Sequence, residues 1–286
     1  MDQKDGLIAR GIAWAKGERA PVVPVVPLRG VIGQVGAFRR GLSVDTVGPM
    51  ISRAFRVKRA EAVALIINSP GGSPVQSSLI AARIRQLSDE TELPVMAFCE
   101  DVAASGGYWL AAAADEIFVD RSSIVGSIGV ISSGFGFTEA IKKLGIQRRM
   151  HTAGDNKSFL DPFSPERKKD VERLKNIQGD MHETFRNYVS ERRGDKLLDD
   201  PEVFSGAFWT GAKAIDMGLA DDVGEIRQVL RDRFGDNVRT PMIKADRPWL
   251  ARRFGGASVR ADDVSMWADG MVSAVEDRFM WDRYRF

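Results

Sequence analysis

Residues 94–114, PVMAFCEDVAASGGYWLAAAA, decide the fold of this chain. The apolar run 94–99 is typical of a buried strand, and the run 108–114 is compatible with a helix. Two acidic residues and a cluster of small residues that contains Ser105 lie between them. A serine at this junction sits at the positive end of the helix, and its small neighbours let substrate and backbone approach closely. Ser105 is therefore a candidate nucleophile.

Ser105 also has an alternative interpretation as a helix cap. Serine is among the preferred N-cap residues because its hydroxyl accepts a hydrogen bond from a backbone N–H of the first helical turn. The stretch alone supports both interpretations, so the rest of the chain has to distinguish them.

A similar strand, loop and helix precede this stretch. Residues 62–67 form a continuous apolar run that suits a strand buried on both faces, as in a parallel sheet. The run ends in NSPGGS at 68–73, and a helical period follows over 75–87. Residues 115–119 begin a third unit. Alternating strands and helices predict a layered α/β fold whose functional loops share one edge of the sheet.

The remaining elements follow from periodicity and capping signals. Helices are predicted at 43–57, 137–144, 164–193 and 225–234, and strands at 124–131 and 146–152. Ser43 and Ser164 are the expected caps of the first and third of these helices. The glycines inside 124–131 indicate a bent strand or a close backbone approach.

The composition describes an ordinary globular protein and excludes several classes. Of the 286 residues 44% are apolar and 28% charged, and the net charge of +2 gives no indication of nucleic-acid binding. Cys99 is the single cysteine, so no intrachain disulfide framework is possible. The chain has no Cys/His cluster typical of a zinc site, and we expect neither metal nor cofactor.

The ends of the chain differ from its centre. Residues 1–20 are polar with a weak helical stripe, which predicts a leader helix, and they lack a signal-peptide core. We expect a catalytic domain at 21–235 and a C-terminal extension at 236–286. No stretch reaches the roughly 18 uncharged apolar residues of a membrane span. The sequence therefore predicts a soluble chain, and leaves open whether it is cytoplasmic or membrane-associated.

Two glycine-containing loops can supply the electrostatics that a serine nucleophile needs. The loops 69–72 and 105–107 follow neighbouring strands, and unencumbered backbone N–H groups from both can converge on one point. Gly71, Gly72 and Gly106 are the candidate donors of this oxyanion hole. A phosphate-binding role is disfavoured, because neither loop matches a nucleotide-binding glycine pattern.

Five ordered motifs resemble one peptidase family. They are NSPGG at 68–72, AASGGYW at 103–109, VGSIGVI at 125–131, AGDNKS at 153–158 and FSGAFWTG at 204–211. In this order they resemble peptidase family S49, the signal peptide peptidase A type, within the Clp-protease/crotonase superfamily. The resemblance covers residues 22–225. It implies repeated β-β-α units, a layered parallel sheet and flanking helices.

The resemblance also implies a mechanism. The family's catalytic pair is a serine and a lysine, and the matching positions are Ser105 and Lys157. The lysine acts as the base in its neutral form, which removal from water favours. Ser127 matches a position that orients the lysine amine, although it could instead only satisfy backbone groups in a tight turn. A Clp-type histidine base is disfavoured, because residues 126–130 are GSIGV where that histidine is expected and His182 falls within a predicted helix.

The resemblance further implies what the protein acts on and assembles with. We expect apolar peptides such as released signal peptides as substrates, and a ring-like homo-oligomer that excludes folded proteins. Two other functions remain open, namely a crotonase-like acyl-CoA enzyme and an idle scaffold of the same fold. The tail rich in Trp and Arg could touch a membrane surface, a neighbouring subunit or the substrate groove, or could pack on its own domain.

Overall fold

The computed structural model describes residues 20–35, 39–244, 280–281 and 284. The leader helix predicted at 1–20, apart from its last residue, and most of the extension predicted at 236–286 lie outside the described residues.

The described strands form one large sheet and one small one. The large sheet contains β1 (Val25–Arg29), β4 (Val63–Ser69), β5 (Val95–Ala104), β6 (Glu116–Val119), β7 (Ile124–Gly126), β8 (Phe208–Thr210) and β9 (Asp222–Val223). The small antiparallel sheet contains β2 (Gln34–Val35) and β3 (Arg39–Arg40).

Seven α-helices connect and cover these strands in the described ranges. They are α1 (Val44–Phe55), α2 (Pro74–Thr91), α3 (Gly106–Ala111), α4 (Thr138–Lys143), α5 (Lys168–Arg193), α6 (Gly211–Asp216) and α7 (Ile226–Phe234). Two short 3-10 helices, Gly194–Lys196 and Pro201–Phe204, lie between α5 and β8.

The sheet is parallel along its main path, in the order β1-β4-β5-β6-β9. β5 is the central strand and changes partner along its length. Its first half pairs with β6, up to Cys99 beside Val119, and its last three residues pair with β7. β8 then adds to β7 in the antiparallel sense. The layered α/β fold predicted from the sequence is confirmed.

Strand β4 shows why the apolar runs are continuous. Val63, Leu65 and Ile67 point into the larger core, which α1, α2, α3 and part of α5 cover. Ala64 and Ile66 point into a second core on the other face, which Leu230 of α7 helps to close. Because successive residues of a strand face opposite sides, a sheet buried on both sides requires every position to be apolar.

Three elements differ from the sequence prediction. Residues 146–152 form no strand, since no neighbouring strand lies beside them to accept their hydrogen bonds. The long helix begins at Lys168 rather than at 164, because the Ser164 hydroxyl donates to Asp161 Oδ2 at 2.8 Å instead of capping a helix. The strand predicted at 124–131 ends at Gly126, where the chain turns.

An ion pair between a buried arginine and a partly buried aspartate attaches the end of α5 to the sheet. Arg193, whose side chain is 2% exposed, donates to Asp221 Oδ2 at 2.9 Å, and Lys196 donates to Oδ1 at 2.6 Å. The same carboxylate accepts the N–H of Ile117 in β6 at 2.7 Å. Burial acts to raise the pKa of Asp221, but the hydrogen bonds from Arg193 and Lys196 outweigh it and hold that pKa below its ordinary value.

We expect Asp221→Ala to lower the free energy of unfolding by about 3–5 kcal/mol, because Arg193 would stay buried without a counter-charge and would keep only its bond to the Gly218 carbonyl. Thermal denaturation followed by circular dichroism measures the loss, and Asp222→Ala at the exposed next position is the control. A carboxylate with a depressed pKa stabilises the fold above its unfolded value of about 3.9 and loses that effect as the pH falls through the folded value. The difference between wild type and Asp221→Asn should therefore shrink below about pH 4. Equal stability of Asp221→Ala and Asp222→Ala at pH 7 would contradict the expectation.

Candidate active site

Ser105 lies at the turn between β5 and α3 in a strained backbone conformation. Its φ of 51° and ψ of −121° are rare for a residue with a side chain. The turn is held from both sides, because the Ser105 N–H donates to the Gly126 carbonyl at 2.8 Å and its carbonyl accepts from the Trp109 N–H at 3.0 Å. Ser105 occupies the N-cap position, yet its hydroxyl makes no capping hydrogen bond. This excludes the helix-cap interpretation and leaves the hydroxyl available for chemistry.

The two glycines after Ser105 are required by close packing. A Cβ on Gly106 would lie 2.4 Å from Ser77 Oγ, and one on Gly107 would lie 2.3 Å from the Ser69 carbonyl oxygen. The start of α3 is therefore pressed against α2 and against the end of β4. This contact brings the loop 69–72 close to Ser105.

The candidate oxyanion donors differ in availability. Gly71 lies against Ser105, since a Cβ there would be 2.7 Å from Gly106 N and 2.8 Å from Ser105 Cβ. Its own N–H, however, donates to Ser69 Oγ at 3.2 Å. Among the described residues no acceptor is bound to the N–H of Gly72 or of Gly106. Gly72 and Gly106 therefore remain the candidate donors, and Gly71 supplies the space between them.

We expect Gly71→Ala to lower kcat/KM for a peptide by about 10²–10³-fold, the effect of disabling one oxyanion donor. The added methyl group would lie where Gly106 N and the Ser105 side chain meet, and the φ of 98° at Gly71 disfavours any side chain. Steady-state kinetics measures the effect. Gly30→Ala, which also has a positive φ but meets nothing within 4 Å, controls for backbone strain. Similar activities of the two variants would contradict the expectation.

Ser127 lies beside Ser105 and lines the same cavity. It is buried, with a φ of 54°, and its N–H donates to the Ala207 carbonyl at 2.7 Å. Its hydroxyl accepts a hydrogen bond from Tyr284 Oη at 3.1 Å. Tyr284 is itself buried and packs edge-to-face on Phe208, with ring centroids 5.2 Å apart. This contact with the C-terminal extension had no signal in the sequence.

Lys157 is not brought to Ser105 within the described chain. It is exposed on the turn after β7 and α4, and its N–H donates to the Gly154 carbonyl at 3.2 Å. It is absent from the set of residues that line the cavity at Ser105.

The cavity at Ser105 has a volume of about 430 Å³. Three of the residues that line it were not predicted from the sequence to lie at the site. Gln178, Gly179 and His182 of α5 line it together with Val130 and Ile131. His182 Nε2 lies 3.1 Å from the Ile128 carbonyl oxygen. The sequence contains one signal for these residues, namely that His182 is one of two histidines. The position of His182 within a long helix does not show what that helix packs against.

Other chemistries have less support in the described part of the chain. Burial raises the pKa of the Cys99 thiol to about 12, so this cysteine is not a thiolate nucleophile at neutral pH. Over the described ranges no cluster of His, Cys, Asp and Glu could hold a metal ion. None of the helices described is both long enough and apolar enough to span a bilayer.

A strained serine at a strand-to-helix turn in a layered parallel sheet is the arrangement that α/β hydrolytic enzymes use for a nucleophile. The model of peptidase family S49 matches residues 88–233, which include Ser105, Ser127, Lys157 and α5. The chain therefore belongs to peptidase family S49.

Two curated relatives are much longer than this chain. Protease 4 of Haemophilus influenzae is 30% identical over 213 residues, which cover 73% of this chain and 34% of the relative. A protein named Na(+)/H(+) antiporter NhaA from Brucella abortus is 48% identical over 269 residues, which cover 92% of this chain and 36% of the relative. The chain thus spans about a third of the length of each relative, and the name of the whole relative does not carry over to it.

A solved structure shares the fold. The 1510-N membrane-bound stomatin-specific protease superposes with a TM-score of 0.52 at 16% identity, over 80% of this chain and all of that chain. At this identity the likeness establishes the arrangement of strands and helices.

Proposed function

We propose that this protein is a serine endopeptidase in which Ser105 is the nucleophile and Lys157 the general base. The observation that carries the proposal is the turn at Ser105. Its hydroxyl makes no capping bond, its backbone is strained, and it opens into a cavity beside two free backbone N–H groups. A serine that served only the fold would have no need of this conformation.

The reaction follows from this placement. Ser105 Oγ attacks the carbonyl carbon of the scissile bond, and its proton passes to the neutral amine of Lys157. The N–H groups of Gly72 and Gly106 stabilise the negative oxygen of the tetrahedral intermediate. The C–N bond then breaks, the leaving amine takes the proton from Lys157, and an ester on Ser105 remains. Water then attacks the ester carbon while its proton passes to the same lysine amine. The bond between Ser105 Oγ and the carbonyl carbon breaks, Oγ takes the proton from Lys157, and the acid product leaves.

A second copy of the chain would bring Lys157 to Ser105. Lys157 lies outside the cavity of its own chain, so the proposed dyad needs either movement of its loop or a neighbour. Large apolar side chains are exposed on the stretch before Lys157 and on the face of α5. They are Phe135, Leu144, Ile146, Ile177 and Met181. These exposed side chains support a homo-oligomer, because a second copy of the chain would remove large apolar groups from water.

The substrate would bind as an added strand. Within the described chain the backbone groups of residues 130–133 form no hydrogen bonds, and the segment continues from β7 past the Ser105 cavity. An extended peptide can pair with such a free edge through its main chain while its side chains enter pockets. Apolar, unfolded peptides, such as released signal peptides, fit this mode of binding.

The proposal is tested with a fluorogenic, leucine-rich peptide and with a fluorophosphonate that labels activated serines. We expect hydrolysis of the peptide and labelling at Ser105, located by mass spectrometry. The acyl-CoA alternative predicts instead that the protein binds CoA thioesters and that Ser105 stays unlabelled. The scaffold alternative predicts a folded protein that does neither.

A further inference from the structure

The middle of α5 lines part of the cavity at Ser105. Gln178, Gly179 and His182 are the helix residues that contribute to it. Positions 178 and 182 are one turn apart, so their side chains are neighbours on the helix surface. Gly179 lies next to them and adds no side chain, so the cavity extends down to the helix backbone there.

Packing does not account for the glycine at 179. A Cβ on Gly179 would meet no atom within 4 Å, whereas one on Gly107 would lie 2.3 Å from the Ser69 carbonyl oxygen. Glycine in the interior of a helix is destabilising relative to alanine. The protein therefore keeps an unfavourable residue where a side chain would fit, and its effect is to leave space open in the cavity.

His182 and Gln178 offer hydrogen-bonding groups to that space. A carbonyl oxygen only accepts, so the contact at 3.1 Å with the Ile128 carbonyl requires His182 Nε2 to carry a proton. In the neutral ring Nδ1 is then left as an acceptor. Across the described residues, neither His182 Nδ1 nor the Gln178 amide is hydrogen-bonded to another protein group. The same cavity also has hydrocarbon surface, from Val130 and Ile131.

We propose that this part of the cavity is a subsite for one long substrate side chain that ends in an amide or a similar hydrogen-bonding group. The stem of the side chain lies against Val130 and Ile131 and passes over Gly179, and its end group bonds to Gln178 and His182. The inference rests on the proposed peptidase function. It adds a polar preference at one position of an otherwise apolar peptide.

Peptide binding to the Ser105→Ala protein tests the subsite without requiring catalysis. Labelled leucine-rich peptides carry glutamine, methionine or alanine at each of the three residues before the scissile bond in turn, and fluorescence anisotropy gives Kd. Glutamine and methionine have nearly the same length and volume, so their ratio isolates the hydrogen bonds. We expect the glutamine peptide to bind about five- to tenfold more tightly at one of the three positions.

Substitutions in the lining should change that ratio. In the Ser105→Ala background, Gln178→Leu and His182→Phe should each lower the preference for glutamine to about twofold or less, and His182→Gln, which keeps a donor, should retain more of it. Gly179→Leu should weaken binding of both long-chain peptides at least about tenfold and leave the alanine peptide within about twofold. Thr184→Leu places the same side chain at an exposed position of α5 away from the cavity and is the matched control.

The outcomes separate this inference from the proposed function. Equal binding of glutamine and methionine at all three positions, or a preference that Gln178→Leu and His182→Phe leave unchanged, overturns the subsite. Absence of hydrolysis and of Ser105 labelling in the wild-type protein overturns the peptidase proposal instead, whatever the binding ratio.

Discussion

The Ser105→Ala variant is expected to hydrolyse the leucine-rich peptide at least about 10⁴-fold more slowly than wild type, with KM changed by less than about threefold. The substitution removes the attacking oxygen and nothing else that the structure shows to be bonded, because the hydroxyl makes no capping hydrogen bond. The loss should therefore fall on kcat. Initial rates at saturating and at low peptide concentration separate the two constants.

The control for this prediction is Ser78→Ala, which removes an exposed hydroxyl on α2. Circular dichroism should show that both variants are folded, with the same melting temperature within about two degrees, the scale of small surface changes. If Ser105→Ala kept a tenth or more of the wild-type kcat, the nucleophile would lie elsewhere.

The second large effect is expected at Lys157. Lys157→Ala should lower kcat at least about 10³-fold, because without a base the hydroxyl proton has no acceptor as the C–O bond forms. Lys157→Arg should be equally inactive, since a guanidinium stays protonated and cannot accept that proton. Lys143→Ala, at an exposed lysine of α4, should keep its activity within about twofold.

A mixing experiment shows which copy supplies the lysine. The Ser105→Ala and Lys157→Ala proteins are each inactive, but a mixed oligomer contains sites with an intact serine from one copy and an intact lysine from the next. Random mixing should restore roughly a quarter of the wild-type activity if the dyad forms between copies. No recovery, with exchange of subunits demonstrated by mass, would place the dyad within one copy. Full activity of Lys157→Ala alone would contradict the lysine base and direct attention to His182, which lies in the cavity.

Local signals predicted the centre of the sheet and the turn at Ser105. Strand β4 is recognisable because both of its faces are buried, which leaves a continuous apolar run. The turn is recognisable because only small residues fit between α3 and the loop 69–72, as the 2.3 Å approach at Gly107 shows. In both cases the packing constraint acts on several consecutive residues, so it leaves a recognisable run of apolar or small residues in the sequence.

The sequence could not predict the walls of the site. The contact of Tyr284 with Ser127 spans 157 positions, and that of His182 with Ile128 spans 54. Tyr284 and His182 lie in no local sequence pattern that distinguishes them from ordinary core or surface residues. Only the folding of the whole chain brings these pairs together. The strand predicted at 146–152 was wrong for a related reason. Residues with high β-propensity form a strand only where a neighbouring strand can pair with them.

Because the end of β5 pairs with β7, the turn at Ser105 depends on residues that are synthesised much later. The Ser105 N–H is held by Gly126 at the end of β7, and β7 is itself paired on its other side with Phe208 and Trp209 of β8. Those residues leave the ribosome about a hundred positions after the serine. A nascent chain that already contains Ser105 therefore lacks the edge that fixes its backbone, and the turn is completed only after residues 208 and 209 have emerged.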